Sequence, residues 1–212
     1  MRQTQDTPSV SEDGVMQALK IKTRPLHDQI EQVGHVGKIM GGTLTLEEYK
    51  GLIRDNYIFH WVLETIISEQ LPEEQLIAIQ FKGRRKIGYL YSDLIELGIV
   101  GQSAASSQVL LDAVSMKSQI QLSGLAQMLG AMYVIEGSTL GGAIIKKELA
   151  KNPLLAHKVS FYYYGCYGSA QGRMWKEFKD IMEAHINTPQ QIAEAVKGAE
   201  KAFLFLNNIM SK

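Results

Sequence analysis

The segment LKIKTRPLHDQIEQVG, at residues 19–34, is the most informative part of this sequence. If it is helical, Arg24, His27 and Glu31 lie on one face because they are three and four residues apart. A carboxylate one turn after a histidine can accept the proton on the imidazole Nδ1, which leaves Nε2 as an oriented, neutral ligand. The spacing therefore predicts that His27 can bind a metal.

Basic side chains precede His27 in the same segment. Lys20, Lys22 and Arg24 lie one to two turns upstream, where the acidic edge of a large anionic ligand could bind. Together with the histidine they suit a heme iron ligand and its propionate partners. A surface histidine beside a glutamate has the same spacing, so this segment alone leaves both interpretations open.

The length and charge of the chain limit its functional class. Its 212 residues are enough for one domain with a well-buried core. Lysine plus arginine and aspartate plus glutamate balance at 22 each, which predicts no nucleic acid and no anionic membrane as a partner. Cys166 is the single cysteine, and no stretch approaches the roughly twenty apolar residues of a membrane span. We expect a cytoplasmic protein without a membrane partner.

Helical patterns run through most of the sequence, and alternating strand patterns are nearly absent. We predict a polar tail at residues 1–10 and one all-α domain at residues 11–212, a multi-helix bundle of about seven or eight helices. The first helix is expected to have its cap at residues 11–13 and to run to about residue 33, with Pro25 either kinking it or delaying its regular part to Thr23. The other expected helices begin at Thr45, run from Pro72 towards Leu97, and span residues 122–150, 169–186 and 189–210.

Glycines are concentrated in the stretch YVIEGSTLGGAIIKK, at residues 133–147. Each of Gly137, Gly141 and Gly142 costs a helix interior about 0.5–1 kcal/mol relative to alanine. Close helix packing would explain this cost, and so would a flat ligand lying against the backbone of a bent helix. The spacing alone favours packing, since Gly137 and Gly141 share one face.

Taken together, the two stretches resemble the bacterial, biliverdin-producing heme oxygenases. The resemblance is carried by LKIKTRPLHDQIE and YVIEGSTLGGAIIKKEL, and more weakly by AEKAFLFLNN at residues 199–208. The order of the motifs, their separation and the all-α prediction agree with that family. The resemblance therefore covers nearly the whole domain and implies a heme oxygenase-like bundle.

What the resemblance implies is heme b, substrate and cofactor at once, held between two helices with His27 as the axial iron ligand. Glu31 matches the residue that hydrogen-bonds this imidazole, and Phe203 matches an aromatic residue of the pocket. Arg24 belongs to the basic cluster around Lys20. The other matching positions are the distal residues Gly137, Ser138, Gly141 and Gly142, and the propionate contacts Lys20, Tyr133 and Lys176.

The implied reaction is the O2- and electron-dependent cleavage of heme to biliverdin, CO and Fe2+. The electrons would come from a ferredoxin or a flavin reductase. Two positions depart from the family pattern: Ser138 stands where many members have an aspartate, and Lys179 or Asp180 stands where an arginine is usual. The first departure keeps open a non-catalytic heme carrier or sensor on the same fold. A di-iron carboxylate bundle would need paired Glu-x-x-His motifs on separate helices. The sequence contains none, which argues against that class of enzyme.

Several other residues are predicted to have structural roles. His60 is expected in the core, and His35, His157 and His185 in loops or on the surface. Cys166 has no charged neighbour in sequence to activate it, so we expect no catalytic thiol. The tyrosines at residues 162–164 are expected to pack a loop onto the bundle. The run Arg84-Arg85-Lys86 is interpreted as a solvated face that could dock an acidic electron donor.

Overall fold

The structure is a computed structural model that describes residues 14–101, 107–156 and 158–211. All regular secondary structure within these ranges is helical, which confirms the all-α prediction. The predicted tail at residues 1–10, the predicted cap at residues 11–13 and His157 lie outside the described residues.

Eleven α-helical segments occur in the described part of the chain, and eight of them are nine residues or longer. Those eight agree with the predicted seven or eight helices. The segments are α1 (Val15–Val33), α2 (Val36–Met40), α3 (Leu46–Gln70), α4 (Glu73–Ala78), α5 (Phe81–Arg84), α6 (Ile87–Glu96), α7 (Gln108–Met116), α8 (Gly124–Leu140), α9 (Gly142–Lys151), α10 (Gln171–His185) and α11 (Pro189–Met210).

Helix α1 is continuous through Pro25, so its regular part does not begin at Thr23 as one of the two alternatives predicted. Thr23 is buried, and its hydroxyl donates to the carbonyl oxygen of Leu19 at 2.8 Å. The helix ends where the Gly34 N–H donates to the carbonyl oxygen of Ile30. His27 therefore lies in the second half of one continuous helix.

Helix α3 begins at a capping box and runs through the core. The Thr45 side chain accepts from the Glu48 N–H, and the Glu48 carboxylate accepts from the Thr45 N–H at 2.9 Å. These bonds satisfy donors that a helix start would otherwise leave unpaired. Thirteen of the 25 residues of α3 are buried, and the helix packs against α6, α7, α8 and α11.

Two glycines allow α8 and α11 to approach closely. A Cβ at Gly130 would overlap the carbonyl oxygen of Ala195, and a Cβ at Gly198 would overlap that of Gln127. Since residue 130 faces 195 and residue 127 faces 198, the two helices run antiparallel. Helix α11 also packs along α1, so it lies against both helices that carry the motifs of the resemblance.

The apolar stretch Gly124–Lys151, which contains α8 and α9, could cross a membrane by length and composition alone. The mean hydropathy of its most apolar 18-residue window is 1.4. No stretch of this kind was predicted from the sequence. In the folded chain 56% of that window is buried inside the protein. The stretch thus forms part of the core of the bundle.

Candidate functional site

His27 lies exposed on α1. Its side chain is 53% accessible, and its Nδ1 lies 3.8 Å from both the Glu31 Oε1 and the Asp28 Oδ1. The imidazole and the buried ring of Phe203 form an edge-to-face pair, with 6.1 Å between the ring centroids. The predicted neighbour Glu31 is therefore beside Nδ1, and Asp28 is a second neighbour that spacing did not identify.

The basic residues upstream of His27 are exposed on the same helix. The Arg24 Nε donates to the Asp28 Oδ1 at 2.7 Å, so the guanidinium is held next to the carboxylates that flank the imidazole. Lys20, four residues before Arg24, extends this basic face by one more turn. The predicted role of Lys20 and Arg24 as anion contacts is compatible with these positions and stays a prediction.

The distal glycines fall into two groups. A Cβ at Gly137 would meet nothing within 4 Å, and one at Gly141 would touch only the Ile145 Cδ1, at 3.7 Å. A Cβ at Gly142 would instead lie 2.9 Å from the Tyr164 carbonyl oxygen. The packing interpretation is therefore correct for Gly142 and wrong for Gly137 and Gly141, which face open space.

The helix breaks at the glycine pair, because α8 ends at Leu140 and α9 begins at Gly142. A break of this kind leaves carbonyl oxygens without helical donors. The Gln171 side-chain amide donates to the carbonyl oxygens of Thr139 and Leu140, the latter at 2.6 Å. Gln171 was not predicted, since nothing in its local sequence links it to this break.

Helices α1 and α8 meet one turn before His27 and Gly137. The Tyr133 hydroxyl lies close to the Thr23 side chain, and burial raises the pKa of this phenol above its ordinary value. Thr23 lies four residues before His27, and Tyr133 lies four residues before Gly137. The structure thus brings the two motif-bearing helices into contact at this level.

Lys176 lies on the exposed face of α10, where its Nζ is 3.1 Å from the Asp180 Oδ2. Asp180 is thus the salt-bridge partner of Lys176. Helix α10 packs against both α1 and α8. Lys176 as a propionate contact stays a prediction.

The sequence predicted a solvated face for the run at residues 84–86, and this prediction is wrong. Arg84 and Lys86 are 1% and 0% exposed, and both contact Glu136 of α8, at 2.9 and 2.8 Å. The Tyr167 hydroxyl donates to the same carboxylate at 2.8 Å. Only Arg85 reaches solvent. Glu136 could have predicted these buried cations, because a carboxylate within an apolar helix needs a cationic partner.

His60 is a buried core histidine, as predicted, and it is fully hydrogen-bonded. Its Nδ1 lies 3.4 Å from the Glu64 Oε1, and its Nε2 lies 3.0 Å from the Tyr163 hydroxyl. Tyr163 is also 3.1 Å from the Ser138 Oγ on the distal helix. Burial raises the pKa of the Cys166 thiol, which agrees with the expectation of no catalytic thiol.

A sequence model of the heme oxygenase family matches residues 13–212. The chain belongs to the heme oxygenase family. A curated heme oxygenase from Xanthomonas campestris is 25% identical over 171 residues, which cover 80% of this chain and 93% of the relative. Family membership makes the chain an oxidoreductase that degrades heme, and nothing in these comparisons favours a non-catalytic carrier.

Solved structures agree with this family fold. The heme oxygenase from Leptospira interrogans has a TM-score of 0.74 at 19% identity, covering 93% of this chain and 98% of that one. Heme oxygenase-1 from the cyanobacterium Synechocystis, solved in complex with heme, has a TM-score of 0.71 at 19% identity and covers 93% and 91%. At these identities the likeness concerns the fold.

Proposed function

We propose that this chain cleaves heme b to biliverdin, CO and Fe2+ with O2 and electrons from a ferredoxin or a flavin reductase in the cytoplasm. The observation that carries the proposal is the open backbone of α8. A Cβ at Gly137 would meet nothing within 4 Å and one at Gly141 only the Ile145 Cδ1, so the backbone at both glycines is open. A flat macrocycle can lie against such a surface, because glycine has no Cβ to hold it away.

His27 is the proposed axial ligand. Its Nδ1 faces two carboxylates, and no hydrogen bond to its Nε2 occurs among the described residues. A carboxylate that accepts the Nδ1 proton would fix the imidazole tautomer and leave the Nε2 lone pair for iron. A neutral imidazole donates less electron density to the iron than a thiolate does. This ligand would suit oxygenation of the macrocycle rather than peroxidase-like chemistry at the iron.

The glycine face has the complementary proposed role. Gly137, Ser138, Gly141 and Gly142 form a wall that positions the macrocycle by shape and excludes bulk water from its distal side. Because the wall carries little besides one hydroxyl, it supplies no strong acid that would promote peroxidase-like chemistry at the iron. The heme supplies the redox chemistry, and the protein supplies orientation and protons.

The propionate edge is proposed to rest on basic side chains. Lys20 and Arg24 lie upstream of the iron ligand on α1, and Lys176 lies on α10, which packs against α1. Tyr133 is close to Thr23 on the same side of the bundle and adds a phenol. Cations and a hydrogen-bond donor in this region suit two carboxylates.

The ligand assignment is tested by replacing His27 with alanine. The side chain is exposed, so the variant should fold, bind hemin more weakly and lose coupled biliverdin formation. Added imidazole should restore the absorption spectrum of the wild-type complex in the variant. His185→Ala is the matched control, since this histidine hydrogen-bonds the Ile181 carbonyl oxygen at the end of α10. An unchanged rate of biliverdin formation in His27→Ala would overturn the assignment.

A further inference from the structure

A hydrogen-bond chain connects the distal helix to a buried carboxylate on α3. The Ser138 Oγ lies 3.1 Å from the Tyr163 hydroxyl, which lies 3.0 Å from the His60 Nε2. The His60 Nδ1 in turn lies 3.4 Å from the Glu64 Oε1. Tyr163, His60 and Glu64 are at most 3% exposed, whereas Ser138 lies at the open face of α8. The chain therefore begins in the core and ends at the candidate site.

The inner end of this chain is held as a carboxylate. Glu64 accepts the Lys86 N–H at 2.7 Å and the Arg85 Nε–H at 3.2 Å. Burial favours the neutral acid, but these donors and His60 outweigh it and lower the pKa of Glu64. Hydrogen bonds to an ionised group are stronger than neutral ones. Glu64 thus acts as an acceptor towards His60.

An ionised Glu64 gives the chain one direction. Burial lowers the pKa of His60 and raises that of Tyr163, so the imidazole is neutral and the phenol keeps its proton. The single imidazole proton then lies on Nδ1, facing the carboxylate, and the Tyr163 O–H donates to Nε2. The tautomer follows from this arrangement of donors and acceptors.

The outer end of the chain is consequently an acceptor. Because the Tyr163 proton is donated to His60, the single Ser138 O–H is shared between the Ile135 carbonyl oxygen at 2.7 Å and the Tyr163 hydroxyl oxygen at 3.1 Å, both of which lie on the protein side. The lone pairs of the Ser138 Oγ remain available towards the open face. Glu136, two residues earlier, is bound to Arg84 and Lys86 and does not compete for this role.

We propose that Ser138, polarised through Tyr163 and His60 by Glu64, accepts a hydrogen bond from water at the distal face. This inference rests on the proposed function. A carboxylate at the helix would orient such a water directly, whereas here the carboxylate lies three hydrogen bonds away. Chains of hydrogen bonds polarise one another, so the acceptor strength of Glu64 is transmitted to the Ser138 Oγ. Tyr163, His60 and Glu64 are positioning residues in this arrangement.

The direction of the chain is testable without heme. In the 15N NMR spectrum of the heme-free protein, the His60 Nδ1 should be protonated and Nε2 should be an unprotonated, hydrogen-bonded nitrogen. Tyr163→Phe should remove the hydrogen bond to Nε2 and shift that resonance. Tyr162→Phe, which removes an exposed hydroxyl one residue away, should leave the resonance in place. A proton on the His60 Nε2 in the wild-type protein would overturn the proposed direction of the hydrogen-bond chain.

The role at the distal face is testable with hemin bound. Ser138→Ala and Tyr163→Phe should each shift the acid–alkaline transition of the ferric complex. Each should also raise the hydrogen peroxide released per biliverdin by about five- to tenfold, the effect of one lost hydrogen bond. The double variant should be no worse than either single variant, because both act through one oxygen. Additive effects, or single variants like wild type, would overturn the inference.

Failure of the proposed function gives a different result. A wild-type chain that neither binds nor degrades hemin would overturn that function and the distal role of Ser138 with it. In that case the NMR measurement would still report the direction of the hydrogen bonds from Ser138 to Glu64. If Tyr163→Phe does not fold, Ser138→Ala keeps the proposal falsifiable, since Ser138 lies at the surface.

Discussion

At the scale of single residues, two glycines of α8 have different roles: one lies at a close helix contact and the other at an open surface. Gly130 has no room for a Cβ, because the Ala195 carbonyl oxygen occupies that position, whereas Gly137 has open space in front of it. The first glycine therefore allows two helices to touch. The second leaves a surface uncovered, which in a helix interior costs stability without any gain from packing.

Alanine at these two positions should separate stability from heme binding. Gly137→Ala should raise stability by about 0.5–1 kcal/mol through helix propensity and weaken hemin binding, because its methyl group occupies the proposed heme face. Gly130→Ala should lower stability by about 1–3 kcal/mol through overpacking. Thermal unfolding and hemin titration measure both effects. Wild-type hemin affinity in Gly137→Ala would contradict the proposed position of the macrocycle.

Residue-level prediction from the sequence succeeded where one helix sets the geometry. The spacing of His27 and Glu31 is enough to place them side by side, and the structure agrees. The contacts of Arg84 and Lys86 with Glu136 could not be predicted in the same way. They join residues about fifty positions apart, and a basic run on its own is more typical of a solvated surface.

At the scale of elements, the α8–α9 junction depends on one side chain from α10. The Gln171 amide donates to the two carbonyl oxygens that the break exposes. These bonds satisfy carbonyl oxygens at the interruption between α8 and α9 that would otherwise need water as a donor.

Gln171→Ala should therefore loosen the junction. We expect faster amide hydrogen exchange across α9 and a loss of about 0.5–1.5 kcal/mol of stability per lost hydrogen bond. Gln190→Ala, at an exposed position near the start of α11, is the control. Unchanged exchange in the Gln171 variant would mean that the bend is fixed by the glycines alone.

Elements with strong local signals were the ones that the sequence predicted best. Helices α3 and α11 both begin with capping boxes, at Thr45 and Thr188, and both were expected to start there. Helices α2 and α7 were not predicted. They have five and nine residues, and helices this short are stabilised mainly by packing, which local sequence does not reveal.

At the scale of the whole molecule, burial of carboxyl groups makes stability depend on pH. Burial raises the pKa of Asp55 from 3.8 to about 6, opposed only in part by Arg54. Burial likewise raises the pKa of Asp93 to about 6, against the Tyr162 and Tyr163 N–H groups. The folded chain then binds more protons than the unfolded chain between these values, so the contribution of both groups to stability falls as pH rises from about 4 to 6.

Asp55→Asn should remove part of this fall. The Tm of this variant should depend less on pH between about 4 and 6 than the Tm of the wild type. At neutral pH its Tm should be higher, by about 2–4 °C for each kcal/mol gained in the free energy of unfolding. Asp180→Asn, at an exposed site paired with Lys176, is the control. Equal pH dependence in wild type and Asp55→Asn would show that this carboxyl group does not titrate in that range.

The bundle as a whole was predictable because its helices are long, periodic and interrupted at prolines and glycines. The arrangement of the site was less so. Helix α11 packs against α1, α3 and α8 through contacts between distant parts of the chain, and those contacts decide which faces remain open. The open backbone at Gly137 and Gly141 is the clearest case, since their spacing favoured packing.

Turnover of hemin tests the central claim most directly. Purified protein is loaded with hemin and supplied with ascorbate or a reductase system under air, with catalase present to remove free peroxide, while the visible spectrum and CO are followed. We predict that the Soret band forms and then decays as biliverdin absorption rises, with one CO released per heme. A Soret band that forms and stays constant under these conditions would contradict the account and identify a heme-binding protein that does not cleave its ligand.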